Sequence, residues 1–293
     1  MYFEPALFKL SVAMTGQSLI KHFLTEGDKF LVSRLSPLAD QGGYAVAANY
    51  GSLVARIVFQ PIEETARVFF SKTLASSSSS KSGDGDPIAR DQEALQTAST
   101  VLLTLLLAFT HLLLLLITFA PPYLPLALSL ALPRKYLATS APAILGVYIY
   151  YIPAMAYNGV LEAFFASAAS PADLRAQARW MLVFSAAFVA GAAALARGLG
   201  LGDAGLVWAN VANLALRAGY AWAFVRRFFR ARGATVEWGS AVPPLPVLAS
   251  FAAAGAAVRV SAGAYVGAPV NLLAQKGHIA VGVVGVLGCL VTW

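Results

Sequence analysis

Charge is scarce in this chain. Asp, Glu, Lys and Arg make up 12% of its 293 residues, against about 25% in a typical soluble domain. A soluble protein with half the usual charge cannot cover its own surface, and the mean hydropathy of +0.68 agrees. The class is therefore an all-α, multi-spanning membrane protein. Cysteine is nearly absent as well. Cys289 stands alone, which excludes an intrachain disulfide and a cysteine-based zinc site. Histidine is limited to His22, His111 and His278, too scattered for a recognisable metal site. His111, inside a leucine run, is expected to be packed and hydrogen-bonded. No Walker loop, nucleophile elbow, clustered acidic motif or Asn-x-Ser/Thr sequon occurs. Nothing points to an enzyme, and no cofactor is implied. Basic residues outnumber acidic ones by 21 to 14, but no basic run is interleaved with aromatics, so nucleic acid is not the expected partner. MYFEPALFKL lacks the basic start and small-residue cleavage site of a signal peptide, so insertion is expected to rely on the spans themselves.

What is present is apolar helix. The length needed to cross a bilayer, ~20 residues, gives about eight spans, near 9–35, 43–71, 96–119, 141–168, 174–197, 203–229, 245–267 and 276–293. The Ser/Gly/Asp-rich stretch at 75–87 reads as a flexible loop, and 72–94 as a cytosolic connection around it. Asp86-Pro87 and Ser170-Pro171-Ala172-Asp173 read as helix starts, the latter with a capping box. PPYLP at 121–125 is expected to end the third span. Gly200-Leu201-Gly202-Asp203-Ala204-Gly205 matches GxGxxG but follows no strand, so it carries no nucleotide-site meaning. Alanine-rich runs such as AAFVAGAAALA point to close helix packing. Loop cations gather on one side, with Lys9, Lys72, Lys81, Arg90, Arg175, Arg179 and the RRFFRAR cluster at 226–232, against Arg34, Arg134, Lys135, Arg197 and Lys276 on the other. The positive-inside rule puts the richer side, and with it both termini, in the cytosol. RRFFRAR reads as an anchor at the headgroups.

The chemistry-bearing residues sit inside the spans. In GSLVARIVFQPIEETARVFF, Arg56, Gln60, Glu63 and Arg67 step by four, three and four and share one helix face, with Glu64 at its edge. Arg56, Glu63 and Glu64 facing lipid would together cost on the order of 10 kcal/mol, so the stripe must face protein or water. Pro61 removes the bond to the Ile57 carbonyl and is expected to kink the helix. Two readings stay open: an internal salt bridge, or the lining of a polar substrate pathway. The first span carries Lys21 and Asp28 on one face and His22, Glu26 and Lys29 on the next, as site residues or as solvated groups at the membrane edge. In the fourth, Tyr151, Asn158 and Glu162 lie close to one face, with Pro153 as a second break. Its tyrosines suit an interfacial belt or a stacking surface. In the sixth, Asn210, Asn213 and Arg217 line up, the asparagines suited to interhelical hydrogen bonds.

FLTEGDKF, NYGSLVAR and FQPIEE together resemble the Rft family, the eukaryotic oligosaccharide-translocation proteins of the endoplasmic reticulum. Weaker echoes follow in NGVLEAFFA, ANVANLALR and KGHIAVG. The resemblance implies a flippase fold of the superfamily that includes the MATE exporters, with two six-helix lobes around a cavity. A family member is roughly twice this length. On that pattern residues 1–230 are the second lobe and 231–293 two additional C-terminal helices, with the N-terminal lobe as a missing partner. The implied substrate is dolichyl-pyrophosphate-linked oligosaccharide with five mannoses and two N-acetylglucosamines, passing from the cytosolic to the lumenal leaflet. Lys21, Lys29, Arg56 and Arg217 are then candidates for the pyrophosphate. Gln60, Glu63, Tyr151, Asn158 and Glu162 are candidates for the glycan, and the dolichol tail stays among membrane lipid. The alternatives are a non-transporting lipid-binding or scaffold component of the same pathway and, less favoured, an ion-coupled exporter with Glu63 or Glu64 carrying the proton.

Overall fold

The computed structural model describes Thr15 and residues 37–79, 87–265, 267 and 269–292. Every long element among the described residues is a helix. They are α1 (Leu38–Val54), α2 (Gln60–Ser79), α3 (Pro87–Ala131), α4 (Arg134–Leu137), α5 (Ala141–Ala168), α6 (Pro171–Ala193), α7 (Gly202–Arg230), α8 (Leu245–Ala264) and α9 (Lys276–Thr292). The expected membrane bundle is thus what the chain forms. Among the described residues, four helical stretches are long and apolar enough to cross a bilayer: Ile88–Ala131, Ala141–Ala168, Pro171–Gly198 and Leu245–Ala264. Lys276–Thr292 is apolar but shorter. The expected spans at 43–71 and 203–229 are helical but are not among these four. The expected first span lies outside the described residues.

Two expectations about helix ends are corrected. α2 continues to Ser79 and α3 begins at Pro87, so both ends of the 72–94 connection are helical, and so is the start of the Ser-rich stretch at 75–87. Nor does PPYLP end the third span, because α3 runs through Pro121, Pro122 and Pro125 to Ala131. Pro121 leaves the Ile117 carbonyl without its usual N–H. The Arg259 guanidinium on α8 takes that carbonyl at 3.3 Å. A proline is tolerated mid-membrane where a neighbour satisfies the freed group.

α5 is the centre of the bundle and packs against α1, α2, α3 and α7. α5 and α7 run the same way, since Tyr150 meets Trp208 near their starts and Phe165 meets Phe224 near their ends, at 5.1 and 4.6 Å between ring centroids. One core fills the α2–α3–α5–α7 junction with Phe70, Leu102, Leu106, Phe164, Phe165 and Phe229. A second joins α1, α5 and α7 through Tyr44, Ile144, Tyr148, Leu206 and Val207. α8 and α9 pair with each other, and Phe119 on α3 joins Val247, Phe251, Val258 and Cys289 in a third core.

Polar ties fix the helix ends. Ser170 and Asp173 form the expected capping box at the start of α6, and Arg227 of α7 pairs with Asp173 at 3.0 Å. At the start of α5, the Ser140 N–H donates to Asp40 at 2.9 Å and its hydroxyl to Asp203 at 2.7 Å, tying α1, α5 and α7. The GxGxxG stretch is a tight reversal. Gly200 and Gly202 have φ of +68° and +55°, and Gly205 lies against the backbone of Leu195 and Ala196, where a Cβ does not fit. Turn geometry and close packing account for these glycines.

Candidate functional site

Between α1 and α2 the chain makes a π-helical turn, Ala55–Phe59, and the Gln60 N–H bonds back to the Ala55 carbonyl. The wider turn sits immediately before Pro61, where an α-helical carbonyl would meet the proline ring. Such π-bulges are frequent at functional sites. The expected break at Pro61 is therefore a change of winding in a continuous helical segment.

The stripe on this segment keeps its polar side open. Arg56, Gln60, Glu64 and Arg67 are exposed, and Glu63 is half-buried. Arg67 and Glu63 form an ion pair at 2.8 Å, one turn apart. The salt-bridge reading is thus met by Arg67. Among the described residues, Arg56 reaches only the Asn49 carbonyl, at a long 3.5 Å. The apolar Ile57, Val58 and Val68 on the same segment are exposed as well.

The α5–α7 seam carries the second group. Arg217 on α7 donates from Nε at 2.9 Å and from Nη2 at 2.6 Å, both to Oε1 of Glu162 on α5. Each side chain is 20% exposed. These residues stand 55 apart in sequence, so spacing along either helix alone does not reveal their partnership. Asn158 and Asn213 precede them by one turn on the two parallel helices. Both are buried, and the Oδ1 of each has no hydrogen-bond partner among the described residues. The interhelical bonding expected of Asn213 is therefore not seen at its Oδ1. Asn210, a turn earlier on α7, is half-buried.

The two groups share one side of α5. A Cβ built on Gly159 would stand 2.9 Å from Oε2 of Glu63, so a glycine lets α2 bring its carboxylate against α5. Glu162 follows Gly159 by three residues and faces nearly the same way. The outcome is a polar face across α2, α5 and α7, with two ion pairs on it and Arg56 and Gln60 at its edge.

Other expected residues fall elsewhere. Lys21, Glu26, Asp28 and Lys29 lie outside the described residues. Three of the α5 tyrosines are engaged in contacts within the bundle. Tyr148 is buried, Tyr151 stands edge-on to it, and Tyr157 donates to Thr110, which donates to the Ala241 carbonyl. His111 is buried with Nδ1 2.9 Å from the Leu107 carbonyl, as expected. A cavity of about 700 Å³ lies where α2, α3 and the ends of α5 and α7 meet, lined by Ser71, Asp91, Gln92, Ser167 and Arg232 among others. A groove of about 410 Å³ runs along α5 and α7 between Tyr150, Tyr157, Trp208, Trp222 and Trp238. Neither is lined by any of the expected site residues. Sequence spacing assigned no role to His278. It is buried between α3, α8 and α9, stacked on Tyr123 at 4.2 Å, with Nδ1 3.0 Å from Ser261 Oγ. One histidine in a glycine-rich apolar helix carries no spacing signal.

The model of the Rft protein family matches residues 1–293. The chain belongs to the Rft protein family. Among its relatives, the "Man(5)GlcNAc(2)-PP-dolichol translocation protein RFT1" of Yarrowia lipolytica is 40% identical over 235 residues, covering 78% of this chain and 33% of that protein. The protein of the same name in Saccharomyces cerevisiae is 34% identical over 214 residues, covering 73% of this chain and 35% of the relative. That of Xenopus tropicalis is 32% identical over 268 residues, covering 91% and 48%. This Rft chain thus spans between a third and a half of the length of the curated relatives it matches. No solved structure matches it.

Proposed function

We propose that this Rft chain is part of a translocator of Man5GlcNAc2-PP-dolichol. It carries the headgroup from the cytosolic to the lumenal leaflet of the endoplasmic reticulum membrane, for protein N-glycosylation. The observation that carries this reading is the polar face shared by α2, α5 and α7 within otherwise apolar helices. Charged groups at bilayer depth each cost about 2.5–3.5 kcal/mol on insertion scales, so they mark pathways by default. A diphosphate calls for guanidinium groups, and Arg56 and Arg217 supply them. Sugar hydroxyls call for amides and carboxylates, and Gln60, Glu63, Glu64, Asn158, Asn210 and Asn213 supply them. The polyprenyl chain stays in lipid. No covalent chemistry is required, and movement follows from alternating access of two halves.

In this reading residues 1–230 form the second six-helix lobe and 231–293 two additional helices, with both termini cytosolic. The remainder of the longer protein faces the polar face and completes the pathway. The test is reconstitution of a full-length relative containing this half in liposomes, with leaflet exchange of the glycolipid as the readout. Exchange faster than in protein-free vesicles, and lost on neutralising Arg56 and Arg217, supports the reading. Exchange at the protein-free rate removes it.

A second reading has its own support. Each ion pair joins two side chains of this chain, and neither large cavity is lined by them. That arrangement suits a non-transporting component that holds the glycolipid, or a partner protein, statically. Glycolipid binding without exchange is its signature.

A further inference from the structure

The Glu162–Arg217 pair is built unlike a closed structural salt bridge. A guanidinium and a carboxylate meet best as two forks, with two parallel bonds to two oxygens. Here both bonds fall on the single oxygen Oε1. Oε2 of Glu162 has no hydrogen-bond partner among the described residues. A guanidinium has five N–H groups, and three of those on Arg217 are likewise without a partner among the described residues. Both side chains keep a fifth of their surface open, so the unused donors can be reached. Glu162 stands six residues before the end of α5, about 9 Å along the axis, in a helix long and apolar enough to cross a bilayer. One turn earlier, the parallel register sets Asn158 and Asn213 at one level, each with a buried amide oxygen that has no partner among the described residues. The seam is packed, but its polar groups are only half used.

We propose that Arg217 is the diphosphate ligand of this half of the protein and that Glu162 is its internal competitor. This rests on the function proposed above. In the unloaded state Glu162 holds the guanidinium in place and offsets its charge. An arriving diphosphate takes the free N–H groups and then draws the guanidinium from Oε1. When the headgroup moves on, Glu162 reclaims the arginine. The carboxylate thereby lowers affinity for the diphosphate and speeds its release, which a carrier needs and a static binder does not. The freed seam exposes the Asn158 and Asn213 amide oxygens to hydroxyl and N–H donors of the first sugar.

The sign of one substitution separates this device from a structural bridge. The longer protein is purified in detergent and titrated with farnesyl diphosphate, with farnesol as the uncharged control. Glu162→Gln removes the competitor and is expected to tighten farnesyl diphosphate binding by about five-fold or more, within the usual range of coupling between sites. Arg217→Gln is expected to weaken it by at least about ten-fold, and the double variant to match Arg217→Gln. Farnesol binding stays unchanged in all three. Glu162→Met serves the same purpose if the glutamine variant does not fold. Unchanged or weaker diphosphate binding in the Glu162 variant overturns the proposal, as does a wild-type protein that ignores farnesyl diphosphate. If the wild type still exchanges glycolipid between leaflets in that event, the proposed function stands and only this assignment falls.

Discussion

Arg259 gives the sharpest test of how the bundle tolerates its prolines. Its Nη2 reaches the Ile117 carbonyl that Pro121 leaves free, and its Nη1 bonds the Gly255 carbonyl at 3.1 Å. Arg259→Met removes the first contact and leaves the carbonyl without a donor. An unsatisfied group of this kind costs about 1–3 kcal/mol, and the 3.3 Å separation argues for the lower half of that range. In a Pro121→Ala background, the N–H restored by the substitution takes the same carbonyl in the ordinary helical way. There Arg259→Met should cost about 1 kcal/mol less than in the wild-type background. Removing an arginine from a membrane helix also changes insertion energy, but that contribution is common to both backgrounds and drops out of the cycle. The assay is thermal unfolding in detergent, where 1 kcal/mol corresponds to about 2–4 °C for a domain of roughly this size. Equal losses in the two backgrounds would refute the claim that the guanidinium serves the proline-freed carbonyl.

Two further outcomes follow from the geometry. Reversing either member of the Glu162–Arg217 pair places like charges together and should lower the thermal midpoint, while Glu162→Arg with Arg217→Glu should recover most of the loss. Failure of the double reversal to recover would mean the surroundings, not the partner, set the charge preference. Ser170→Ala removes one arm of the α6 capping box and should cost about 1 kcal/mol, read as a lower midpoint. An unchanged midpoint would show that the Arg227–Asp173 pair alone secures that end.

Class and helix positions were legible because composition and apolar length act locally. The capping box at Ser170–Asp173 was legible for the same reason, since both partners lie within one turn. The shared face of Arg56, Gln60, Glu63 and Arg67 follows from helical spacing, and within it Glu63 and Arg67 meet one turn apart. What could not be read were partnerships between helices. Glu162 and Arg217 belong to separate spans, and no periodicity within either names the other. The run of α3 through three prolines was hidden for a similar reason. Proline chemistry predicts a stop, and only a guanidinium 142 residues away compensates one of the freed carbonyls. The Gly159 contact is another case, because a glycine in a helix signals close approach without saying to what. His278 went unread because its partners, Tyr123 and Ser261, come from two other helices.

Whether the α2 stripe faces a water-accessible, protein-lined space decides the functional reading. Cysteine substitution tests it most directly: Cys289, the one cysteine of these 293 residues, is buried at 2% exposure, and cysteines elsewhere in the longer protein are first replaced. Gln60→Cys and Glu64→Cys are introduced one at a time into the longer protein in sealed vesicles. Labelling is then compared for a membrane-impermeant and a lipid-soluble thiol reagent, with Val68→Cys as the apolar-face control. A stripe on such a space makes Gln60→Cys and Glu64→Cys react with the impermeant reagent from one side, with the glycolipid protecting them, while Val68→Cys does not react with it. Reaction of Gln60→Cys and Glu64→Cys with the lipid-soluble reagent alone would place the stripe against lipid and contradict the pathway.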